Sequence, residues 1–505
     1  MAELMAALSV ATDLGMGQPL EFAMRSCITA VRLGEKLGFN DEDLRAVYYQ
    51  SLLRYIGCNA ETYLLAAVFG DELTFRTNVI HADQTSLNYM RQVVEAIRSA
   101  NSNMGPLGIL QSVASGLIEA RQFTEGFFSG HCEVAERLAQ RLFLEPKIVH
   151  GIKQVYARWD GKGIPAIKGE EIAPGMLVVS LAQDAVFIAQ LDGVDSSIRL
   201  IQQRKGSMYA PKHVEAFARH AKELLNDNSE SWETVLNMEP GEKQYLTEAG
   251  FESACEAIAD FTDIKSPYLL GHSSGIARTA ESAARKAGLS EAAISEVRRA
   301  ALLHDIGRVG VSAGIWGKRN PLIVSEWEKI HLHPYYTERV FSRSEKLSPL
   351  GKLASTHHER LDGSGYHRGA TSTMLTQAAK ILAASDVYHA MLEARPHRPA
   401  LEVDEASEKL LNEARAGRLD QDAVHAVLSS QGRRVLARKS FPAGLSEREV
   451  DVLRLIARGR TIKEMGKQLT ISPKTVDSHI QHIYNKINVS TRAAATLFAM
   501  ENRLL

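Results

Sequence analysis

Residues 51–58, SLLRYIGC, line up with residues 301–308, ALLHDIGR. The match extends backwards without a gap, pairing GEKLGFNDEDL with ARKAGLSEAAI. Further on, ARWDGKGIP (157–165) matches ERLDGSGYH (359–367), and at that offset His131 falls on His333 and Asp184 on Asp386. The offset drops from 250 to 202, so the first copy holds 48 extra residues, roughly 71–120. A unit that recurs must fold twice by the same rules, which constrains the chain more than any single motif. Stretches such as SEAAISEVRRAALLHDIG and EFAMRSCITAVRLGEKLG carry apolar residues at helical spacing and end in glycine. Sheet signals are sparse, so the expected fold class is all-α. A polar stretch (226–243) separates the copies, and a second break (429–444) precedes a short last domain. The expected boundaries are 1–228, 245–430 and 441–505.

A chain of 505 residues is too long for one core. Its formal net charge is -1, so any nucleic-acid binding must come from a local basic surface. Cys27, Cys58, Cys132 and Cys255 lie far apart with no CxxC pair, which argues for reduced thiols and against a cysteine zinc site. The N-terminal MAELMAAL has an acid where a signal peptide needs positive charge. No apolar run approaches the roughly 18 residues that cross a bilayer. The expected location is the cytoplasm, with no membrane partner.

Eight of the 17 histidines fall between His272 and His389. A helical domain gains little from so many imidazoles, whereas metal ligation uses them. In LLHDIG, consecutive residues point about 100° apart, so His304 and Asp305 can reach one metal and Asp305 can bridge a second. For this dipeptide alone, a capped helix end remains an equal reading. The other pieces are His272 in SPYLLGHSSGIA, His333 in HLHPYYTERVF, His357 and His358 in HHERLDGSGYHRG, and Asp386 in ILAASDVYHAM. In this order they resemble the HD superfamily of metal-dependent phosphohydrolases, and specifically its HD-GYP branch.

The resemblance covers about 255–430, and weakly 17–225. It implies that His272, His304, Asp305, His333, His357, His358 and Asp386 hold two divalent metal ions, with Asp305 and Arg308 in catalytic roles. A donor set of nitrogen and carboxylate oxygen favours Fe or Mn over Zn. The substrate loop would be Asp362, Gly363, Gly365 and Tyr366. Three departures stand out: Arg308 replaces the family's lysine, His367 its proline after Gly-Tyr, and Tyr268 the glutamate that supplies a third metal. His331 has the wrong spacing for a ligand, and His389 is expected to be bland. Against the seven ligands the first copy offers Phe22, Arg54, Tyr55, His131, Val155, Tyr156 and Asp184, so it is expected to be a degenerate copy, with any sensing role in the insertion.

From Gly444 onward the chain carries 10 Lys/Arg against 6 Asp/Glu, a surplus of 4. LSEREVDVLRLIARG is an amphipathic helix with Ser446 and Glu449 spaced as a capping box. TIKEMGKQL is a short second helix, and SPKTVDSHIQHIYNKI a third, with Ser472 as cap and Pro473 at its first position. This segment resembles the LuxR-type DNA-binding domain, a four-helix helix-turn-helix unit. The resemblance implies that the third helix enters the major groove of double-stranded DNA. It would present Lys474, Thr475, Asp477, Ser478, Gln481 and His482, with Lys486 and Arg492 nearer phosphates. Val476, Ile480 and Ile483 read as core. Ala493, Leu497 and Met500 on the last helix form a candidate homodimer face. The expected protein is a regulator: two tandem HD units, the second a phosphodiesterase for a cyclic dinucleotide such as cyclic-di-GMP, joined to a DNA-binding output. The alternative is a transcription factor whose HD site only binds a nucleotide.

Overall fold

The computed structural model describes residues 1–79, 128–226, 230–431 and 441–505. Residues 80–120 of the expected insertion lie outside these, as does the sensing role assigned to them. Among the described residues there are helices and isolated bridges but no β-strand, as an all-α chain requires. Contacts divide the chain into two compact units, Met1–Ala60 with Leu64–Gly250, and Glu61–Tyr63 with Phe251–Leu505. All four cysteines are buried and free of disulfides.

The repeat seen in the sequence returns as backbone. Phe22–Lys36 corresponds to His272–Lys286, Asp41–Leu52 to Glu291–Leu303, Pro146–Ile152 to Ser348–Ala354, and Pro174–Asp192 to Gln377–Met391. Their caps correspond too. Asn40 accepts from the Asp43 amide and Ser290 from that of Ala293. Buried Asp13 accepts from the amide of Ala23, and buried Asp263 from that of Ser273. A Cβ on Gly57 would stand 2.0 Å from the His131 carbonyl, and one on Gly307 2.0 Å from the His333 carbonyl. In both copies only glycine lets those two segments touch. In the second copy, His272–Lys286, Glu291–Leu303 and Gln377–Met391 pack on one another. The turn Ile306–Gly310 is held against His333–Phe341.

Two expectations change. The polar stretch read as separating the copies packs on the first unit over its described residues. Its helix Ser231–Asn237 buries Trp232 and Val235 in the first unit, and Arg45 donates to the carbonyls of Pro240 and Glu242. Two apolar side chains suffice to dock a short helix that reads as polar by composition. Helix Pro174–Asp192, 19 residues, is also long and apolar enough to cross a bilayer. It reads that way because it runs through the core of the first unit, with 67% of its apolar window buried.

The last domain has its own core of Val450, Leu453, Ile456, Met465, Val476, Ile483 and Ala495. The Ser446–Glu449 capping box forms, and Thr461 with Glu464 makes a second one. Ala493, Leu497 and Met500 are buried within the single chain. The face expected to take a second copy is therefore covered already, because small apolar residues at that spacing also suit close packing within a chain.

Candidate metal centre

Asp305 stands at the centre of the second copy, 1% exposed, and its two oxygens face different ways. Oδ2 lies 3.1 Å from His304 Nε2 and 3.4 Å from His272 Nε2. Oδ1 lies 3.4 Å from His333 Nε2 and 3.5 Å from His357 Nε2. Asp386 approaches from the far helix, with Oδ1 3.8 Å from His272 Nε2 and Oδ2 3.6 Å from His358 Nδ1. The structure thus brings together all seven residues singled out from the sequence.

Hydrogen bonds on the outer side of the rings set their tautomers. His304, His333 and His357 each place Nδ1 2.6–2.8 Å from the carbonyl three residues back, at Ala301, Ile330 and Ala354. A carbonyl only accepts, so Nδ1 carries the proton and Nε2 turns its lone pair inward. His272 Nδ1 likewise donates to Glu393 Oε2 at 2.8 Å. Burial lowers His333 to about 4, lowers His357, and drives His358 well below the usual imidazole range.

The His333 and His357 rings are then neutral, and their Nε2 atoms face each other at 3.1 Å. Two lone pairs at that distance repel unless a cation lies against both. His272 Nε2, His304 Nε2 and Asp305 Oδ1 are buried without a hydrogen-bond partner, and Asp305 Oδ2 has only the Arg308 ion pair. Burial opposes it, but the Glu393 and Asp305 carboxylates raise His272 to about 9, and buried ring nitrogens gathered on both sides of a carboxylate fit divalent cations that would take the place of that proton. Candidate donors within 4.8 Å of one another form the sets His333–His357–His358, His272–His304–Asp386 and His304–Asp305–His357.

A second layer was invisible in the sequence. Glu393 orients His272 and also meets His389 Nε2 at 3.1 Å and Arg395 at 2.8 Å. His389, expected to be bland, therefore supports this layer. Although burial opposes it, His272 holds the Glu393 carboxyl well below the usual range. Buried Glu359 accepts from the amides of Arg368 and Ala370, tying down the loop behind the histidine pair. Arg308 is drawn inward: Nε lies 2.7 Å from Asp305 Oδ2, and the guanidinium sits 4.6 Å over the Trp316 ring. Burial alone would raise Asp305, but Arg308 and His304 hold it well below the usual carboxylate range.

In the loop, Asp362 closes a turn by accepting from Ser364, and Gly363 has φ 77°. A Cβ on Gly365 would lie 2.4 Å from the His358 carbonyl. Tyr366 stacks on His331 at 4.1 Å and lies 4.7 Å from His358. His331 is thus no ligand but part of an aromatic ladder that continues to half-exposed Trp327, 5.6 Å away.

In the C-terminal domain, Lys474, Thr475, Asp477, Ser478, Gln481, His482 and Lys486 are exposed on helix Pro473–Ile487, and Val476 and Ile483 are buried. Ile480 is partly buried against the core. The two residues expected nearer phosphates are engaged inside the domain. Lys486 binds Glu449 at 2.7 Å and the Gly444 carbonyl, and Arg492 donates to the Arg460 carbonyl.

A helical unit closed around an HD dipeptide is what the comparison with known families also finds: residues 256–423 match the HD domain, and residues 443–499 match the bacterial regulatory proteins, luxR family. The chain is 27% identical over 418 residues to the 3'3'-cGAMP-specific phosphodiesterase 3 of Vibrio cholerae, covering 80% of this chain and 89% of that one. A cyclic di-GMP phosphodiesterase of Thermotoga maritima is 36% identical over 138 residues, 27% of this chain and 37% of the relative. The crystal structure of a cyclic GMP-AMP specific phosphodiesterase of Vibrio cholerae superposes with a TM-score of 0.58 at 24% identity. It covers 86% of this chain and 98% of that one, and so shares the fold.

Proposed function

We propose that the second copy is a phosphodiesterase that hydrolyses a cyclic dinucleotide on two divalent metal ions, Fe or Mn ahead of Zn, and that the C-terminal domain turns its state into DNA binding. The observation that carries this reading is Asp305, whose two oxygens face the Nε2 atoms of two separate histidine pairs. Bound there, a metal pair would supply hydroxide at neutral pH and neutralise charge on a phosphodiester. His272, His304 and Asp386 would hold one ion and His333, His357 and His358 the other, with Asp305 between them. Arg308 holds Asp305 ionised and in place. Burial raises the Tyr366 hydroxyl, which stays protonated and can donate to a phosphate oxygen. The Tyr366–His331–Trp327 ladder offers ring faces on which purines stack. The relatives act, by their names, on cyclic dinucleotides, which supports that substrate class for this chain.

The output works in the cytoplasm on double-stranded DNA, with two chains on an inverted repeat. The test is metal analysis of the purified chain with turnover of 3'3'-cGAMP and cyclic-di-GMP measured separately. Two ions per chain and a linear product are expected. A metal-loaded chain that binds both nucleotides and cleaves neither overturns the reading in favour of a sensor. In band shifts, Lys474→Ala should weaken every duplex and lower the salt slope by about 1.

A further inference from the structure

Where the second copy gathers histidines, the first keeps a cavity of about 60 Å³. Its lining includes Arg54, Tyr55, Tyr156, Arg158, Ser180 and Asp184. The charges there are met unequally. Arg158 is paired twice with Asp160, at 3.1 and 3.0 Å. Asp184 accepts the Tyr209 hydroxyl at 2.5 Å. Arg54 shares the lining with Asp184 but keeps Nε and Nη1 buried without a hydrogen-bond partner, and its guanidinium lies 5.7 Å over the Tyr55 ring. A guanidinium never loses its charge at physiological pH, and two of its nitrogens shut off from water without an acceptor favour an anion there. By register Arg54 stands on His304, so a permanent cation replaces a metal ligand.

We propose that the first copy binds a phosphate-type oxyanion in this cavity, either free hydrogen phosphate or the terminal phosphoryl group of a monoester, with Arg54 as its fork. The volume matches that class. One water needs roughly 10–15 Å³ by the same measure, so the cavity takes a group of about four to six waters' size, which suits a tetrahedral oxyanion and excludes a purine. The planar guanidinium suits two oxyanion oxygens at once. Ser180 lines the same space with a hydroxyl. Asp184 also lines it, and a carboxylate tolerates an anion that still carries a proton to donate. Hydrogen phosphate has one; sulfate at neutral pH has none. This site does not depend on what the second copy hydrolyses.

The test is calorimetric titration of the full chain with inorganic phosphate, sulfate and GMP, before and after chelation of metals. A phosphate site that survives chelation is expected, with sulfate weaker. Arg54→Met should weaken it about 10- to 100-fold, the worth of charge-assisted bonds, and Arg54→Lys should weaken it less. GMP binding that outcompetes phosphate identifies the phosphoryl group of a nucleotide as the source; phosphate alone identifies the free ion. Absence of both after chelation, or phosphate binding unchanged by Arg54→Met, overturns the proposal. If Arg54→Met fails to fold, Arg54→Lys and Ser180→Ala carry the same decision.

Discussion

His131 and His333 occupy the same place in the two copies and do opposite things. Each sits above a glycine, Gly57 or Gly307, that could not carry a Cβ. His333 gives its Nδ1 proton to Ile330 and points Nε2 at Asp305. His131 spends Nε2 on the Ala60 carbonyl, so its other nitrogen accepts from the Tyr156 hydroxyl. One ring offers a lone pair to a cation and the other closes a hydrogen-bond network. Asp386 and Asp184 differ in the same way, since the Tyr209 hydroxyl occupies Asp184. The lesson is that the first copy keeps the backbone and, at His131 and Asp184, satisfies internally the polar atoms that the second copy turns toward its centre, while Arg54 is left open in place of His304.

The sharpest way to break this contrast is Asp305→Ala. Metal content should fall below one ion per chain, and turnover by about 10³-fold or more, the scale of losing a preorganised charge stabiliser. Elemental analysis that still finds two ions would falsify the ligand assignment. Glu393→Ala tests the outer layer. Metal affinity should drop about 10- to 100-fold, with Glu393→Gln milder because an amide oxygen still accepts from His272. Competition with a chelator measures this; unchanged affinity would make Glu393 a bystander.

Replacing the paired histidines separates the copies by stability. His131→Gln should cost about 1–3 kcal/mol, since the Tyr156 hydroxyl and Ala60 carbonyl lose a partner, with metal content unchanged. Burial holds His131 at about 3, against an ordinary 6.5. The unfolded chain therefore binds the proton first, and this histidine's contribution is whole above pH 6.5 and is lost as pH falls toward 3. Urea midpoints of wild type and variant should converge across that window; parallel curves would remove His131 from the acid response. The smallest expected effect is a null. Arg54→His with Tyr55→Asp restores the HD pair but should add no metal, because Val155 and Tyr156 still stand where two ligands are required.

Much of this was legible in the primary structure. The repeat, the capping box at Ser446 and the exposed face of Pro473–Ile487 follow from spacing and residue type, and the seven candidate ligands from resemblance to the HD-GYP branch. Those signals are local, or recur at a constant offset. The docking of Ser231–Asn237 and the burial of Ala493, Leu497 and Met500 were not legible, because composition says which residues are apolar and not what lies opposite them.

Glu393 carried no motif, and the motifs that hold Glu359, His389 and Arg54 did not give those residues their roles. Glu393 reaches His272 across 121 positions and Glu359 ties a loop through backbone amides, contacts that exist only once the helices are packed. The sequence by itself determined which side chains can bind a cation and that the chain would build the same helical unit twice. Only the tertiary structure decided which lone pairs remain free. That depends on which nitrogen of each ring a neighbouring carbonyl or carboxylate has claimed, and a folded backbone alone places those acceptors.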